Sequence, residues 1–268
     1  METSRRHGYS VARDPAAHYV AAKEKQEAMI VRHLEKAYPD HPVLKGLSFQ
    51  ADPGEFIAVV GASGSGKTTL LRCLTLQESW SKGEYIHDGH NVLEGGPLAK
   101  WKLRHKWVYL QENPGLNPKK TAVQSVLEAR WSHMPLWRKI VRKSSMEEHV
   151  YASDFLEKVG LLDKGGEKVE KLSGGEKQRV ALARALIQEA RFIAVDDPVK
   201  GLDPGSVNRV MEDFRNVAKR EKVLLICAMQ QLDLAERYAT RIIGLSGGRI
   251  VLDIPARKLT VREKELIL

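Results

Sequence analysis

Cysteine is scarce in this chain: its 268 residues include two, Cys73 and Cys227, each inside an apolar segment. Two such thiols make a disulfide framework a poor reading, and a reducing compartment fits them. Long hydrophobic runs are missing as well. No stretch reaches the roughly eighteen apolar residues that a membrane-spanning helix needs. The opening METSRRHGYSVARDPAAHYV lacks the apolar centre of a secretory leader, so export is not expected. Internal repeats and low-complexity tracts are absent, which excludes solenoid architectures. Acidic residues are outnumbered, 34 against 43 basic ones, for a formal charge of +9. That surplus suits a nucleotide, nucleic acid or lipid headgroups without choosing among them. The densest basic cluster, LWRKIVRKSS over 136–145, interleaves Trp137 and Ile140 with cations. It reads as a solvated face or as a membrane-proximal or partner-facing helix.

What is present is the content of an ordinary globular domain, 43% hydrophobic and long enough for a sizeable core. Residues 1–28 are polar and weakly periodic and read as a flexible extension. From Met29, MIVRHLEKAY and KGLSFQADPGEFIAVVG read as strands, with Asp52, Pro53 and Gly54 marking a turn. The run FIAVV lacks alternation, which suits a strand buried on both faces. A helix is predicted from Gly66 or Lys67, then a short strand near GEYIHDG. Residues 98–170 alternate helical stretches with basic loops and read as a mainly helical subdomain inserted into an α/β core. After it come helix KQRVALARALIQEA, strand FIAVDD, helix GSVNRVMEDFRNVAKRE, strand VLLICAM, helix LDLAERYA, strands RIIGLS and RIVLDI, and a final helix from about Arg257. Strands separated by helices predict a largely parallel sheet.

The most specific local signal is Gly61-Ala62-Ser63-Gly64-Ser65-Gly66-Lys67-Thr68, which fits G-x-x-x-x-G-K-[ST] between an apolar strand and an apolar helix. Its glycines let successive backbone N–H groups point inward, and the helix adds its positive end, so the segment forms a phosphate cradle. Lys67 is placed for the outer phosphates and Thr68 for Mg²⁺; Thr69 follows in the same turn. An apolar strand that ends in acid, FIAVD, supplies the other half: Asp196 can hold the metal opposite Thr68. Kinases, GTPases and motor ATPases all remain open at this point.

KLSGGEKQRVALARAL over 171–186 narrows the choice, because LSGGE followed by Gln178 and Arg179 closely resembles the signature segment of ATP-binding cassette (ABC) ATPases. Other landmarks stand in the same order. Tyr38 resembles the aromatic that stacks on adenine, Gln111 in VYLQEN the Q-loop glutamine that also lies near the metal, and Asp203 in GLDP the D-loop aspartate. The resemblance covers about residues 29–260 and implies a P-loop NTPase core with a mainly parallel sheet, an N-terminal antiparallel β part and the inserted helical subdomain, with 261–268 as the end of a C-terminal helix. It also implies ATP and Mg²⁺ as cofactors. Ser173, Gly174 and Gly175 open a helix and form a second anion site, and the resemblance counts Gln178 with them among the nucleotide-binding residues. In the family that site contacts ATP held by another subunit, so a second ABC ATPase subunit, identical or different, is implied. Within the family, DDPVKGLDP, TAVQSVLEARW and the segment 230–260 are similar to importer ATPases of the phosphonate type. That likeness implies transmembrane permease subunits, a solute-binding protein acting indirectly, and a place at the inner face of the cell membrane.

Two positions depart from the family. The residue after the strand-ending aspartate is usually a glutamate that polarises the attacking water; here it is Asp197, shorter by about 1.5 Å. The switch histidine aligns with Gln230, which can donate a hydrogen bond but carries no proton or charge. Slow hydrolysis is therefore expected, with Asp197, Gln230, Gln111 and Lys67 as the catalytic group. Such a pairing resembles the degenerate site of heterodimeric ABC proteins, with the intact LSGGE completing a partner's site. The competing readings are a soluble ABC ATPase serving an enzyme complex or nucleic acid, and a nucleotide-binding regulator without turnover. The short span between Gln111 and Ser173 leaves no room for the long coiled coil of DNA-repair relatives, and no nucleic acid partner is expected.

Overall fold

A computed structural model describes residues 28–39, 41–131 and 146–268. The extension expected over 1–28 falls outside it except for its last residue, and the basic cluster at 136–145 lies outside it entirely. Two sheets organise the described chain. In the first, β1 (Met29–Tyr38) pairs antiparallel with β2 (His41–Ala51) and with β4 (Lys82–His87), which pairs with the short β5 (His90–Asn91). This is the antiparallel part expected near the N-terminus.

The second sheet is the scaffold of the site. Its six strands lie in the order β10 (Arg249–Pro255), β9 (Arg241–Ser246), β3 (Phe56–Val60), β8 (Leu224–Met229), β7 (Phe192–Asp196), β6 (Trp107–Leu110). All neighbours are parallel except β10, which runs antiparallel along β9. Every residue of β3 is buried, and its side chains alternate between two cores. Ile57 and Val59 join the core shared with the antiparallel sheet, whereas Phe56, Ala58 and Val60 join the core under the helices. The unbroken FIAVV run follows from that double burial.

The helices are α1 (Lys67–Leu74), α2 (Pro97–Lys106), α3 (Ala122–Trp131), α4 (Met146–Lys158), α5 (Gly174–Ile187), α6 (Pro204–Glu221), α7 (Leu232–Tyr238) and α8 (Val261–Ile267). Buried residues of α3 and α4, among them Val126 and Phe155, share a core with Val180 of α5. One expectation needs correction: the span 98–170 is not helical throughout. Its residues Trp107–Leu110 form β6 and pair with β7, so the core sheet extends into it. The final helix starts at Val261, capped by Thr260, rather than near Arg257.

Candidate functional site

Strand register brings the site together. Val60 of β3 lies beside Met229 of β8, Ala228 beside Asp196 of β7, and Val195 beside Leu110 of β6. The residues leaving these strands, Gly61, Gln230, Asp197 and Gln111, therefore form a row along the carboxyl edge of the sheet, where α/β folds place their ligands.

The loop from Gly61 to Gly66 joins β3 to α1. A side chain on Gly61 would put a Cβ 2.2 Å from the Leu245 carbonyl oxygen, so the loop can pass there only as glycine. Gly66 caps α1 with φ of +104°, a conformation that also favours glycine. Lys67 is buried, and its ammonium donates to the carbonyls of Gly61 and Ala62 at 2.9 Å each. Burial lowers its pKa, opposed by the nearby carboxylates of Asp197 and Asp196. The Ser65 hydroxyl is buried without a hydrogen-bond partner among the described residues. An unpaired buried hydroxyl beside inward backbone N–H groups fits a phosphate ligand. Ala62, Ser63 and Gly64 complete the turn.

Behind the loop, Thr68 Oγ1 donates to Asp196 Oδ1 at 3.1 Å. Two hard oxygens at the rim of a phosphate cradle suit Mg²⁺, which takes few protein ligands and fills its octahedron with water and phosphate. The other Asp196 oxygen accepts from the Tyr109 hydroxyl at 2.7 Å. Asp197 follows with φ of +42°, its N–H donating to the Ala228 carbonyl. Its carboxyl pKa is raised by burial and by Asp196, with Lys67 and Lys200 opposing. Gln111 and Gln230 are exposed at the strand ends.

Tyr38, half-buried, donates to the Glu78 carboxylate. Ser173 caps α5 through a capping box: its hydroxyl accepts from the Glu176 N–H, while the Glu176 carboxylate accepts from the Ser173 N–H at 2.7 Å. Gly174 and Gly175 pack on the next turn, where a Cβ on Gly174 would come within 2.6 Å of Leu202 and one on Gly175 within 3.0 Å of Ser206. Asp203 caps α6 from that turn, accepting from the Ser206 N–H at 3.0 Å. These residues thus cluster with one another rather than on the phosphate loop.

Gln178 departs from the expectation that it contacts nucleotide. It is only 3% exposed, and its amide donates to the Glu112 carbonyl at 2.6 Å. It holds the loop that carries Gln111. Lys200 holds the same loop from outside, bridging to Glu112 at 2.9 Å. Glu112, Lys200, Tyr109, Arg72 and Glu78 escaped the sequence reading. Tyr109 alone left a trace, as a hydroxyl in the otherwise apolar WVYL two residues before Gln111.

A family model described as ABC transporter matches residues 44–200. The phosphonates import ATP-binding protein PhnC of Staphylococcus aureus is 34% identical over 230 residues, 85% of this chain and 90% of that one. The hypophosphite import ATP-binding protein HtxD of Stutzerimonas stutzeri is 34% identical over 229 residues, 85% of this chain and 67% of that one. Among solved structures, a dimeric post-hydrolysis state of an ATP-binding cassette bound to ADP and Pi superposes with TM-score 0.70 at 25% identity, covering 86% of this chain and 100% of that one. CbiO1 of Clostridium perfringens, part of the ABC transporter complex CbiONQ, superposes with TM-score 0.74 at 24% identity, covering 85% of this chain and 88% of that one.

Proposed function

The chain belongs to the ABC transporter family of ATPases, and from that premise we propose that it is the ATP-binding subunit of an importer for a small phosphorus oxyanion. One observation carries the nucleotide part of the reading: a buried lysine, an unpaired buried serine hydroxyl and the Thr68–Asp196 pair converge on one glycine loop at the sheet edge. The loop N–H groups and Lys67 hold the phosphates, and Tyr38 receives the adenine face. Thr68 and Asp196 would hold Mg²⁺, with Gln111 beside it. Bound there, the ion supplies charge neutralisation between the outer phosphates. Asp197 orients and deprotonates the attacking water, and Gln230 donates a hydrogen bond to the phosphate without moving a proton.

Ser173 and its glycines face a second ATPase subunit and complete that subunit's site, with Asp203 at the shared boundary. The import direction rests on the likeness to PhnC and HtxD, both import ATP-binding proteins. No described helix is long and apolar enough to cross a membrane. Permease subunits form the path for the solute. The subunit then works at the cytoplasmic face, and a solute-binding protein delivers the oxyanion to the permease. Asp197 and Gln230 favour slow turnover at this chain's own site. The test is purification from detergent-solubilised membranes. The chain should co-purify with a permease and bind ATP with Mg²⁺; recovery without any membrane protein, or failure to bind ATP, would overturn the reading.

A further inference from the structure

We propose that Tyr109 is the positioning residue of the metal-holding aspartate. The inference rests on the nucleotide-site reading above and extends it to a residue with no assigned role.

The placement follows from strand parity. Tyr109 of β6 pairs with Ala194 of β7, and Asp196 lies two residues further along β7, so both side chains leave the same face of the sheet. Helix α1 covers that face, and on it Arg72 stands four residues after Thr68, one turn along the same stripe. Two separate sets of side-chain hydrogen bonds follow behind the phosphate loop. In one, Tyr38 donates to Glu78, and Arg72 donates to the other Glu78 oxygen at 3.4 Å. In the other, Tyr109 donates to Asp196 Oδ2 at 2.7 Å, while Thr68 donates to Oδ1.

A carboxylate only accepts, so the phenol proton points to Asp196, and a phenol keeps that proton throughout the neutral range. The consequence is geometric: a carboxylate turns readily about its last torsion, and two donors, one per oxygen, fix its plane. With Oδ2 engaged by tyrosine, Oδ1 is the oxygen presented beside Thr68.

Tyr109→Phe removes the hydroxyl and keeps the ring. The measurement is Mn²⁺ binding to the full-length chain, followed by electron paramagnetic resonance with a non-hydrolysable ATP analogue, beside analogue affinity in EDTA. Loss of an outer partner of a metal ligand typically weakens metal binding about 10–100-fold. The expected result is a rise in the Mn²⁺ dissociation constant of at least about tenfold, with metal-free analogue affinity unchanged. Tyr109→Leu, which also removes the hydroxyl, should give a rise of the same kind. Unchanged Mn²⁺ affinity in Tyr109→Phe overturns the proposal. So does an equal loss of metal-free analogue affinity, which marks a packing role. If Tyr109→Phe does not fold, Tyr109→Leu decides, and unchanged Mn²⁺ affinity there overturns the proposal. A parent chain that binds no analogue at all would instead remove the nucleotide-site reading, and this inference with it.

Discussion

Asp197 holds a backbone conformation that side chains rarely adopt, with φ of +42°. Aspartate is among the few non-glycine residues that tolerate it, because a short polar side chain can bond locally. The same shortness draws the carboxylate back toward the strand, and a misplacement of about 1 Å can reduce rate on the order of a hundredfold. Asp197→Glu is therefore expected to raise ATP turnover by roughly tenfold to a hundredfold, with a small loss of stability at the strained backbone. Adding Gln230→His should raise turnover again and introduce a new inflection near the ordinary imidazole value of about 6.5, where the parent has none from this position. Steady-state phosphate release at saturating Mg-ATP is the measurement. A single Asp197→Glu variant no faster than its parent would mean that the base is not what limits this site. The raised carboxyl of Asp197 adds a sign to the parent's own profile. Its base form is lost at a higher pH than for an ordinary aspartate, so the acid limb of turnover should lie at higher pH than an unperturbed aspartate would give.

At the scale of elements, the start of α5 does two jobs. The capping box of Ser173 and Glu176 satisfies backbone groups at the helix end, and the same serine is the group proposed above to meet a second subunit. Ser173→Ala should lower unfolding stability by about 1 kcal/mol, seen as a drop of roughly 2–4 °C in melting midpoint. Glu176→Ala, which breaks the other half of the box, should reproduce that drop. Only Ser173→Ala should also abolish ATP-dependent association in sedimentation velocity; equal association by both variants would confine Ser173 to its cap. Such motifs are legible in the sequence because their chemistry is local: glycine, serine and glutamate at fixed offsets specify a turn or a cap wherever they fall. Strands β3, β7 and β8 are legible as well, since burial on both faces leaves unbroken apolar runs. Strand β6 is not. Its four residues follow the basic, helix-forming PLAKWKLRHK, and only pairing with β7 makes them a strand. Gln178 was misread because the signature motif outweighed helix period. Gly175, Gln178, Ala181 and Ala185 form a buried stripe at helical spacing, so the amide points inward. The Tyr109–Asp196 and Glu112–Lys200 contacts depend on strand order across the sheet, which neither motif nor period encodes.

Across the whole molecule, stability depends on how the signature helix is held to the core, and one titrating contact sits in that seam. Arg179 of α5 donates to the carbonyls of Val159 and Gly160 and lies 3.9 Å from the carboxylate of Asp213 on α6. The pair is too long for a strong bond, so burial dominates and raises the Asp213 pKa to about 6 despite the cation. An unfolded aspartate titrates near 3.9. Below about pH 4 both states are protonated, and the residue gives no differential. Between there and about 6 the unfolded chain releases its proton while the native chain keeps it, so stability falls as pH rises through this window and then levels off. Asp213→Asn removes the titration and keeps the shape. Its stability relative to the parent should increase as pH is taken from about 4 to above about 6, measured by urea denaturation of both proteins at each pH. Taking the difference between variant and parent cancels every other group whose titration the substitution leaves alone. Glu263 is one such group: Arg257 and the Thr260 cap hold it down to about 2, so its contribution is lost only as pH falls toward that value, below the Asp213 window. A pH-independent difference between Asp213→Asn and parent would show that Asp213 is already ionised in the native seam, and that the cation 3.9 Å away outweighs its burial.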